Sequence, residues 1–197
     1  MKKTGFTMME LIIVIVIGGI LAAVMIPRLE RDPAREAANK LAKNVQYTQH
    51  LAMVNDVYNA ADPIWFQKRW SIRFNNPKGL TVESFAGANT IIATDPATKN
   101  LIDSTNANSS GDLTDFGVTI STSGGCAGTI TATDGPIIAF DNLGKPYSFS
   151  NVADFTSASA TDHAMAAECI ITLTGSEKTA TISIQPETGY VKLVNVL

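Results

Sequence analysis

One carboxylate stands inside a long apolar segment near the start of this chain. From Phe6 to Ile26 the sequence carries a single charged side chain, that of Glu10. An ionised carboxylate in hydrocarbon costs about 2.5–3.5 kcal/mol at the centre of a membrane helix and less near the interface. Such a residue either meets a cationic partner or lies at the headgroup level, and both interpretations are open at this point.

The apolar segment has the length of a membrane span. A helix over Phe6–Ile26 is about 30 Å long at ~1.5 Å per residue, which matches the hydrocarbon core of a bilayer. Lys2 and Lys3 precede the segment, so the positive-inside rule predicts a cytoplasmic N-terminus, although arginines shortly after the segment oppose that orientation. A secretory signal peptide fits less well, because no small-x-small cleavage site follows the apolar run.

The motif GFTMMELIIVIVIGGILAAVMIP, over residues 5–27, resembles the N-terminal segment of type IV pilins and type II secretion pseudopilins. The resemblance implies that a prepilin peptidase cuts between Gly5 and Phe6 and methylates the new N-terminus at Phe6. It also implies an assembly role for Glu10, whose carboxylate would neutralise the Phe6 amine of a neighbouring subunit. We therefore expect a single-pass protein of the bacterial inner membrane, with its head in the periplasm or, after assembly, in a filament.

Prolines and composition divide the chain into four expected parts. They are a leader peptide over residues 1–5, a transmembrane helix over 6–27, a helical stem over 28–60 and a β-rich head over 61–197. In the stem, Asp32-Pro33 is typical of an N-cap followed by proline at the first helical position, and the helix should run to about Tyr58. Small and apolar residues recur there at three- and four-residue steps, which predicts a buried stripe: Ala34, Ala38, Leu41, Val45, Thr48 and Ala52.

The head has the alternating pattern of antiparallel strands. The predicted strands are Trp65–Phe74, Leu80–Phe85, Thr90–Ala93, Phe116–Ser121, Thr129–Thr133, Pro136–Phe140, Cys169–Thr174, Thr179–Gln185 and Tyr190–Val196. The last three should form a meander, because the turn sequences GSEK and PETG join them. The expected fold class is α+β: a long N-terminal helix, transmembrane half plus amphipathic stem, packed on an antiparallel β-sheet head, as the resemblance also implies.

Three head segments resemble one branch of the same superfamily, the H-type minor pseudopilins and the FimT-like minor pilins. They are RWSIRF after the stem, IIAFDNLGKP with its turn, and the closing ISIQPETGYVKL hairpin. These segments are less specific than the N-terminal motif, because other minor pilins share a glycine-containing turn and a Thr-Gly hairpin.

Two cysteines, Cys126 and Cys169, lie in the head. If the head folds outside the cytoplasm, they can form one disulfide in an oxidising compartment, and we predict that bond. The alternative is two separately buried thiols.

Charge argues against nucleic acid as a partner. The whole chain has a net charge of −3, and residues 61–197 carry 8 basic and 13 acidic side chains, a net charge of −5. Binding to phosphates depends on positive charge. The one candidate DNA patch, Lys68, Arg69, Arg73 and Lys78, is equally typical of the solvent face of a strand.

No catalytic or cofactor site is expected. The two histidines, His50 and His163, stand far apart without zinc-ligand spacing, so no metal site and no cofactor are predicted from them. The polar segment between Lys99 and Asp115 is predicted to be a surface loop. Its carboxylate and amide side chains leave calcium binding as an alternative, although the spacing does not fit an EF-hand. A second loop is predicted over Thr156–Thr161.

These expectations favour assembly over chemistry. The predicted function is a minor pilin-like subunit of a type II secretion pseudopilus or of a type IV pilus, acting in protein export or pilus biogenesis rather than as an enzyme. Its expected partners are the prepilin peptidase, other pilin or pseudopilin subunits, the inner membrane and an exported protein cargo. The alternative is a minor pilin for DNA uptake that binds nucleic acid through its head.

Overall fold

The computed structural model describes residues 5–25, 32–86, 89–107, 109–126, 128–157 and 163–196. The chain forms two compact units, one up to Asp32 and one from Pro33 onward. The described part of the first unit is a helix, α1, over Met8–Met25. Thr7 caps this helix: its Oγ1 accepts a hydrogen bond from the Glu10 N–H at 3.3 Å, as a side chain at the N-cap does.

The second unit begins with helix α2, over Pro33–Val54. All six residues of the predicted stripe are buried on it, together with Ala37 and Asn44. The prediction that the helix reaches Tyr58 is wrong. Beyond Val54 the backbone forms two turns in which a side-chain oxygen accepts a hydrogen bond from a main-chain N–H group. Asp56 Oδ1 accepts from Tyr58 N at 2.9 Å, and Asn59 Oδ1 accepts from Ala61 N at 3.0 Å. Such Asx turns offer the backbone an alternative to helical hydrogen bonds, so the helix ends.

The head contains nine described strands and one short helix, α3, over Val152–Ser157. The strands are β1 Trp70–Asn76, β2 Gly79–Ala86, β3 Asn89–Ile92, β4 Thr119–Gly124, β5 Ile137–Phe140, β6 Pro146–Phe149, β7 Cys169–Thr174, β8 Thr179–Ile184 and β9 Val191–Val196. They form a five-stranded sheet in the order β3-β2-β1-β5-β6 and a four-stranded sheet in the order β4-β7-β8-β9. Every neighbouring pair is antiparallel, which confirms the predicted class of sheet.

Helix α2 packs against both sheets. It contacts β1 and β5 of the first sheet and β7, β8 and β9 of the second. Leu41 and Val45 of the helix therefore belong to one core with Ile72, Phe140 and Ile182. The α+β arrangement of a helix on antiparallel sheets is confirmed.

A second, smaller core lies beneath α3. Ile137 and Ala139 of β5 pack there with Phe149 and Phe155. Their neighbours Ile138 and Phe140 face the main core instead, because successive side chains of a strand point to opposite faces. Strand β5 is thus buried on both faces.

Several strand predictions were wrong in part. The first half of Trp65–Phe74 is a 3₁₀ turn over Trp65–Lys68, and β1 starts at Trp70. No strand covers the predicted Thr129–Thr133, where Thr131 makes a tight turn by donating its N–H to Asp134 O at 2.7 Å. Strand β6 and helix α3 were not predicted. The C-terminal meander was predicted within one residue at every strand end.

The predicted loop over Thr156–Thr161 was also wrong at its start. Thr156 and Ser157 end helix α3, which begins where Asn151 Oδ1 accepts a hydrogen bond from Asp154 N at 2.8 Å. Residues 158–161 of that prediction lie outside the described part of the chain.

Candidate functional site

The predicted processing site lies ahead of α1. Gly5, Phe6 and Thr7 have no regular secondary structure, and the Phe6 side chain is 77% exposed. A chain segment outside a helix can enter a protease cleft without first unwinding. The geometry at the Gly5–Phe6 bond therefore suits cleavage, while residues 1–4 of the predicted leader lie outside the described residues.

Glu10 occupies the first turn of α1. A carboxylate is favoured there, because the unpaired N–H groups and the helix dipole make a helix N-terminus positive. The side chain is exposed, as are all described side chains of the helix from Met8 to Val24. Apart from Glu10 this surface is apolar, with exposed isoleucine, valine and leucine around the helix.

Within the described residues, no helix meets the combined length and apolarity that a membrane crossing requires.

The N-terminal part of the chain matches a known family model. Residues 1–26 match the prokaryotic N-terminal methylation motif. No curated protein and no solved structure matches the chain. The methylation motif supports the resemblance to type IV pilins and pseudopilins, and it implies processing by a prepilin peptidase and assembly with other pilin subunits. It ends before the head begins.

The two cysteines are joined. Cys126 and Cys169 form a disulfide with their Cα atoms 5.0 Å apart, across 43 positions of sequence. Both side chains are buried in the main core. The bond ties the turn after β4 to the first residue of β7, where Gly124 already pairs with Cys169 in the sheet. The predicted disulfide is therefore present.

The basic cluster proposed as a DNA patch is not a free cationic surface. Lys68 Nζ lies 2.6 Å from Asp62 Oδ2, and Arg73 Nε lies 2.7 Å from Glu83 Oε1. The hydrogen bond from Lys68 lowers the pKa of the Asp62 carboxyl. These two cations therefore already have carboxylate partners within the head.

The other two cations of the cluster differ from each other. Arg69 is only 4% exposed, and its guanidinium lies between the rings of Trp65 and Tyr147, with Cζ 4.6 and 4.1 Å from the ring centroids. Burial lowers the pKa of Arg69, and nearby Tyr147 opposes this effect. Lys78 is exposed. One exposed lysine in this cluster makes a poor platform for phosphates, so the DNA-uptake alternative is not favoured.

The polar segment 99–115 is folded onto α2 rather than free in solvent. Lys40 Nζ donates to Ser109 O at 3.2 Å and to Asp112 O at 2.7 Å, and Asn44 Nδ2 donates to Ser110 O at 2.8 Å. Burial lowers the pKa of the Lys40 amine, an effect that Asp112 partly offsets. The prediction of a simple surface loop is wrong, because several of its residues are buried: Ile102, Ser104, Ser109 and Leu113.

Two carboxylates of this segment accept hydrogen bonds from its own backbone. Asp103 Oδ1 accepts from Thr105 N at 3.1 Å, and Asp112 Oδ1 accepts from Thr114 N at 2.9 Å. Among the described residues, which exclude Asn108, no three acidic, histidine or cysteine side chains converge on a position for a metal ion. The two histidines lie in different parts of the structure: His50 is exposed on α2, whereas His163 Nε2 contacts Asp154 Oδ1 at 3.1 Å.

A groove runs along one flank of α2. Helix residues from Lys40 to Tyr47 form one wall, segments 95–98 and 109–110 form the other, and the volume is about 540 Å³. Tyr47 Oη donates to Thr94 O at 3.0 Å across one end. Sequence reasoning missed this groove. The only signal was that Lys40 and Asn44 stand four residues apart beside the buried stripe, so both face the same neighbour.

Proposed function

We propose that this protein is a minor pilin-like subunit that is processed at its N-terminus and assembles into a filament. The match of residues 1–26 to the methylation motif carries the proposal. In it, a prepilin peptidase cleaves the Gly5–Phe6 bond and methylates the amine of Phe6. The exposed, irregular backbone at 5–7 supports access to that bond.

Before assembly, the processed chain resides in the bacterial inner membrane. We propose a single span over residues 6–27, with Lys2 and Lys3 keeping the N-terminus cytoplasmic and the head in the periplasm. The apolar, exposed surface of α1 supports this placement, because a large apolar surface in water has a high free energy. A disulfide suits a head that folds in an oxidising compartment.

Assembly then depends on α1. The Glu10 carboxylate of one subunit neutralises the Phe6 amine of another, and the apolar surface of each helix packs on its neighbours rather than on lipid. The filament is a type II secretion pseudopilus or a type IV pilus, and the subunit acts through its contacts with other subunits and with an exported protein. The internal pairing of Lys68 and Arg73 supports this role over nucleic-acid binding.

The mass of the intact protein tests the proposal. Protein recovered from membranes of a bacterial host with an active prepilin peptidase should lack MKKTG and carry one added methyl group. A Gly5→Val variant, whose side chain would block the cleavage position, should keep the full-length mass in the same host. Recovery of the wild-type chain at full-length mass would refute the proposal.

A further inference from the structure

The disulfide of the head is closed off from solvent once the chain has folded. Cys126 is 1% exposed and Cys169 is 0% exposed, and both belong to the main core. A disulfide forms by thiol exchange, in which a thiolate attacks an existing disulfide and must therefore be accessible. A protein oxidant thus has to reach these thiols before the core closes around them.

The order of export presents Cys126 to such an oxidant first. In the proposed topology the N-terminus stays in the cytoplasm, so the residues of the head cross the membrane in chain order. Cys126 precedes Cys169 by 43 positions. While Cys169 is still inside, the Cys126 thiol has no cysteine of its own chain to pair with.

The arrangement of the strands keeps Cys126 accessible longer as well. Cys169 begins β7, which pairs with β8 in the C-terminal meander. Cys126 follows β4, an edge strand that joins this meander from a distant part of the chain. Contacts between neighbours in sequence cost less loop-closure entropy. The meander therefore forms first and buries Cys169, and β4 brings Cys126 to it afterwards.

Two glycines allow the turn after β4 to approach the chain just before β7. Gly124 adopts a φ of 69°, and Gly125 N donates to Glu168 O at 2.9 Å. A Cβ added at Gly124 would overlap Glu168 O, and one added at Gly125 would overlap Ala167 O. Both obstacles are main-chain atoms, which cannot rotate away as a flexible side chain can. A side chain at either glycine would therefore hold Cys126 away from its partner.

We propose that Cys126 forms a mixed disulfide with a periplasmic thiol oxidase, a protein whose own disulfide is the oxidant, and that Cys169 resolves it. First, the Cys126 thiolate attacks the oxidase disulfide, and one oxidase cysteine leaves as a thiolate. The Cys169 thiolate then attacks Cys126 Sγ, and the second oxidase cysteine leaves. The two thiols of the head lose two electrons and two protons, which the oxidase disulfide gains. Gly124 and Gly125 position the turn for the resolving step.

This inference rests on the proposed function, because the order of crossing requires a cytoplasmic N-terminus. It adds a thiol oxidase to the partners of the chain. It also places the oxidation before assembly, since the folded head hides both thiols.

Trapping the mixed disulfide tests the proposal. The full-length Cys169→Ser variant keeps Cys126 but lacks the thiol that resolves the adduct. Membranes of a bacterial host, alkylated and left unreduced, should therefore contain this chain bonded to a second protein, and a reductant should separate the two. Mass spectrometry should place the bond between Cys126 and a cysteine of a periplasmic oxidoreductase. Cys126→Ser should give several-fold less adduct. The adduct forms on the unfolded chain, so a folding defect in either variant does not prevent it.

Glycine variants with both cysteines present test the resolving step. Gly124→Ala should raise the amount of mixed disulfide several-fold above that of the wild type in pulse-labelled cells, because the added methyl group meets Glu168 O. Gly117→Ala is the matched control. Gly117 also has a positive φ, 62°, but no atom lies within 4 Å of its added Cβ. This variant should close its disulfide as the wild type does.

Three outcomes overturn the inference: no adduct from Cys169→Ser, equal adducts from the two serine variants, or wild-type amounts of mixed disulfide in Gly124→Ala. Failure of the proposed function looks different, because the chain would then keep its leader at full-length mass. A Cys169→Ser chain that loses its leader and forms no adduct refutes the thiol exchange alone.

Discussion

Glu10 is the residue whose chemistry is hardest to explain in an isolated subunit. It lies in the first turn of α1, where the helix dipole favours a carboxylate by about 0.3–1 kcal/mol. This gain is smaller than the cost of about 2.5–3.5 kcal/mol for a charge deep in a bilayer. An ion pair with a cation of another subunit would offset the remaining cost of the buried charge. The Phe6 amine would be such a cation once the leader is removed.

Replacing Glu10 should therefore impair assembly and spare processing. Glu10→Ala removes the charge, favours residence in the bilayer and leaves the neighbouring amine without a partner, so monomer should accumulate in the membrane. Glu10→Gln keeps the shape without the charge and should be nearly as defective. Crosslinking to other pilin-like subunits, compared with the intact mass of each variant, measures both effects.

Met9 provides the control, because it is exposed on the same turn of α1 and carries no charge. Met9→Leu should crosslink as the wild type does. If Glu10→Ala and Glu10→Gln also crosslink as the wild type does, Glu10 is an interfacial residue without a role in assembly.

Cationic residues of the head that are close together in sequence do not form one cationic surface in the fold. Lys68, Arg69 and Arg73 stand within six positions, yet each has a different partner: Asp62, a pair of aromatic rings and Glu83. Burial raises the pKa of Glu83, while Arg73 opposes this effect. Which of these cations reaches solvent depends on strand pairing, because Arg73 and Glu83 meet across β1 and β2.

At the scale of elements, the disulfide secures a strand at the edge of a sheet. Strand β4 is at the edge of the four-stranded sheet and pairs with β7 alone among the named strands. The bond spans 43 positions. A loop of that size lowers the entropy of the unfolded chain by an amount worth about 4 kcal/mol.

Loss of the disulfide should thus destabilise the head strongly. The double variant Cys126→Ala with Cys169→Ala should lower the free energy of unfolding by about 4 kcal/mol, chiefly by freeing the unfolded state. Urea titration of the full-length protein in mild detergent, followed by the fluorescence of Trp65 and Trp70, measures the change. Both tryptophans lie in the head, so their fluorescence reports the unfolding of the head and not of α1.

Reduced wild-type protein is the matched control and should lose about as much stability as the double variant. Thiol labelling should find no free thiol in protein whose head was exported to the periplasm and which was then denatured without reduction. Two free thiols per chain, or equal urea midpoints for oxidised and reduced protein, would contradict the prediction.

At the scale of the whole molecule, α2 joins the two sheets of the head into one core. Leu41 is fully buried at the centre of the stripe, in a core that includes residues from both sheets. Its truncation should therefore weaken both sheets together rather than one of them. Cooperative unfolding of a single domain requires such shared contacts.

Leu41→Ala should lower the free energy of unfolding by about 2–5 kcal/mol, through lost burial and the cavity left behind. Two probes should report the same shifted midpoint in urea: the fluorescence of Trp65 and Trp70 beside the five-stranded sheet, and hydrogen exchange of β7 and β8 amides for the other sheet. Gln46→Ala, on the exposed side of the same helix, should change the stability by less than about 0.5 kcal/mol. Separate midpoints for the two sheets would show that α2 does not couple them.

The sequence by itself determined the features that depend on local pattern. The N-terminal motif, the buried stripe of α2 and the C-terminal meander follow from spacing within a few residues, since helices and strands impose periods of 3.6 and 2 on their side chains. The cysteine pair followed from composition and expected compartment. Each of these features could be predicted without knowing which distant segment packs on which.

Only the tertiary structure decided the rest, because it depends on contacts between residues far apart in the chain. Lys40 and Asp112 are 72 positions apart, and their contact turns a predicted surface loop into a wall of the α2 groove. Gln49 and Gly144 are 95 positions apart, and their hydrogen bond ties the turn between β5 and β6 to α2. No local period encodes such pairs, since side-chain partners at this separation are chosen by the packing of whole elements.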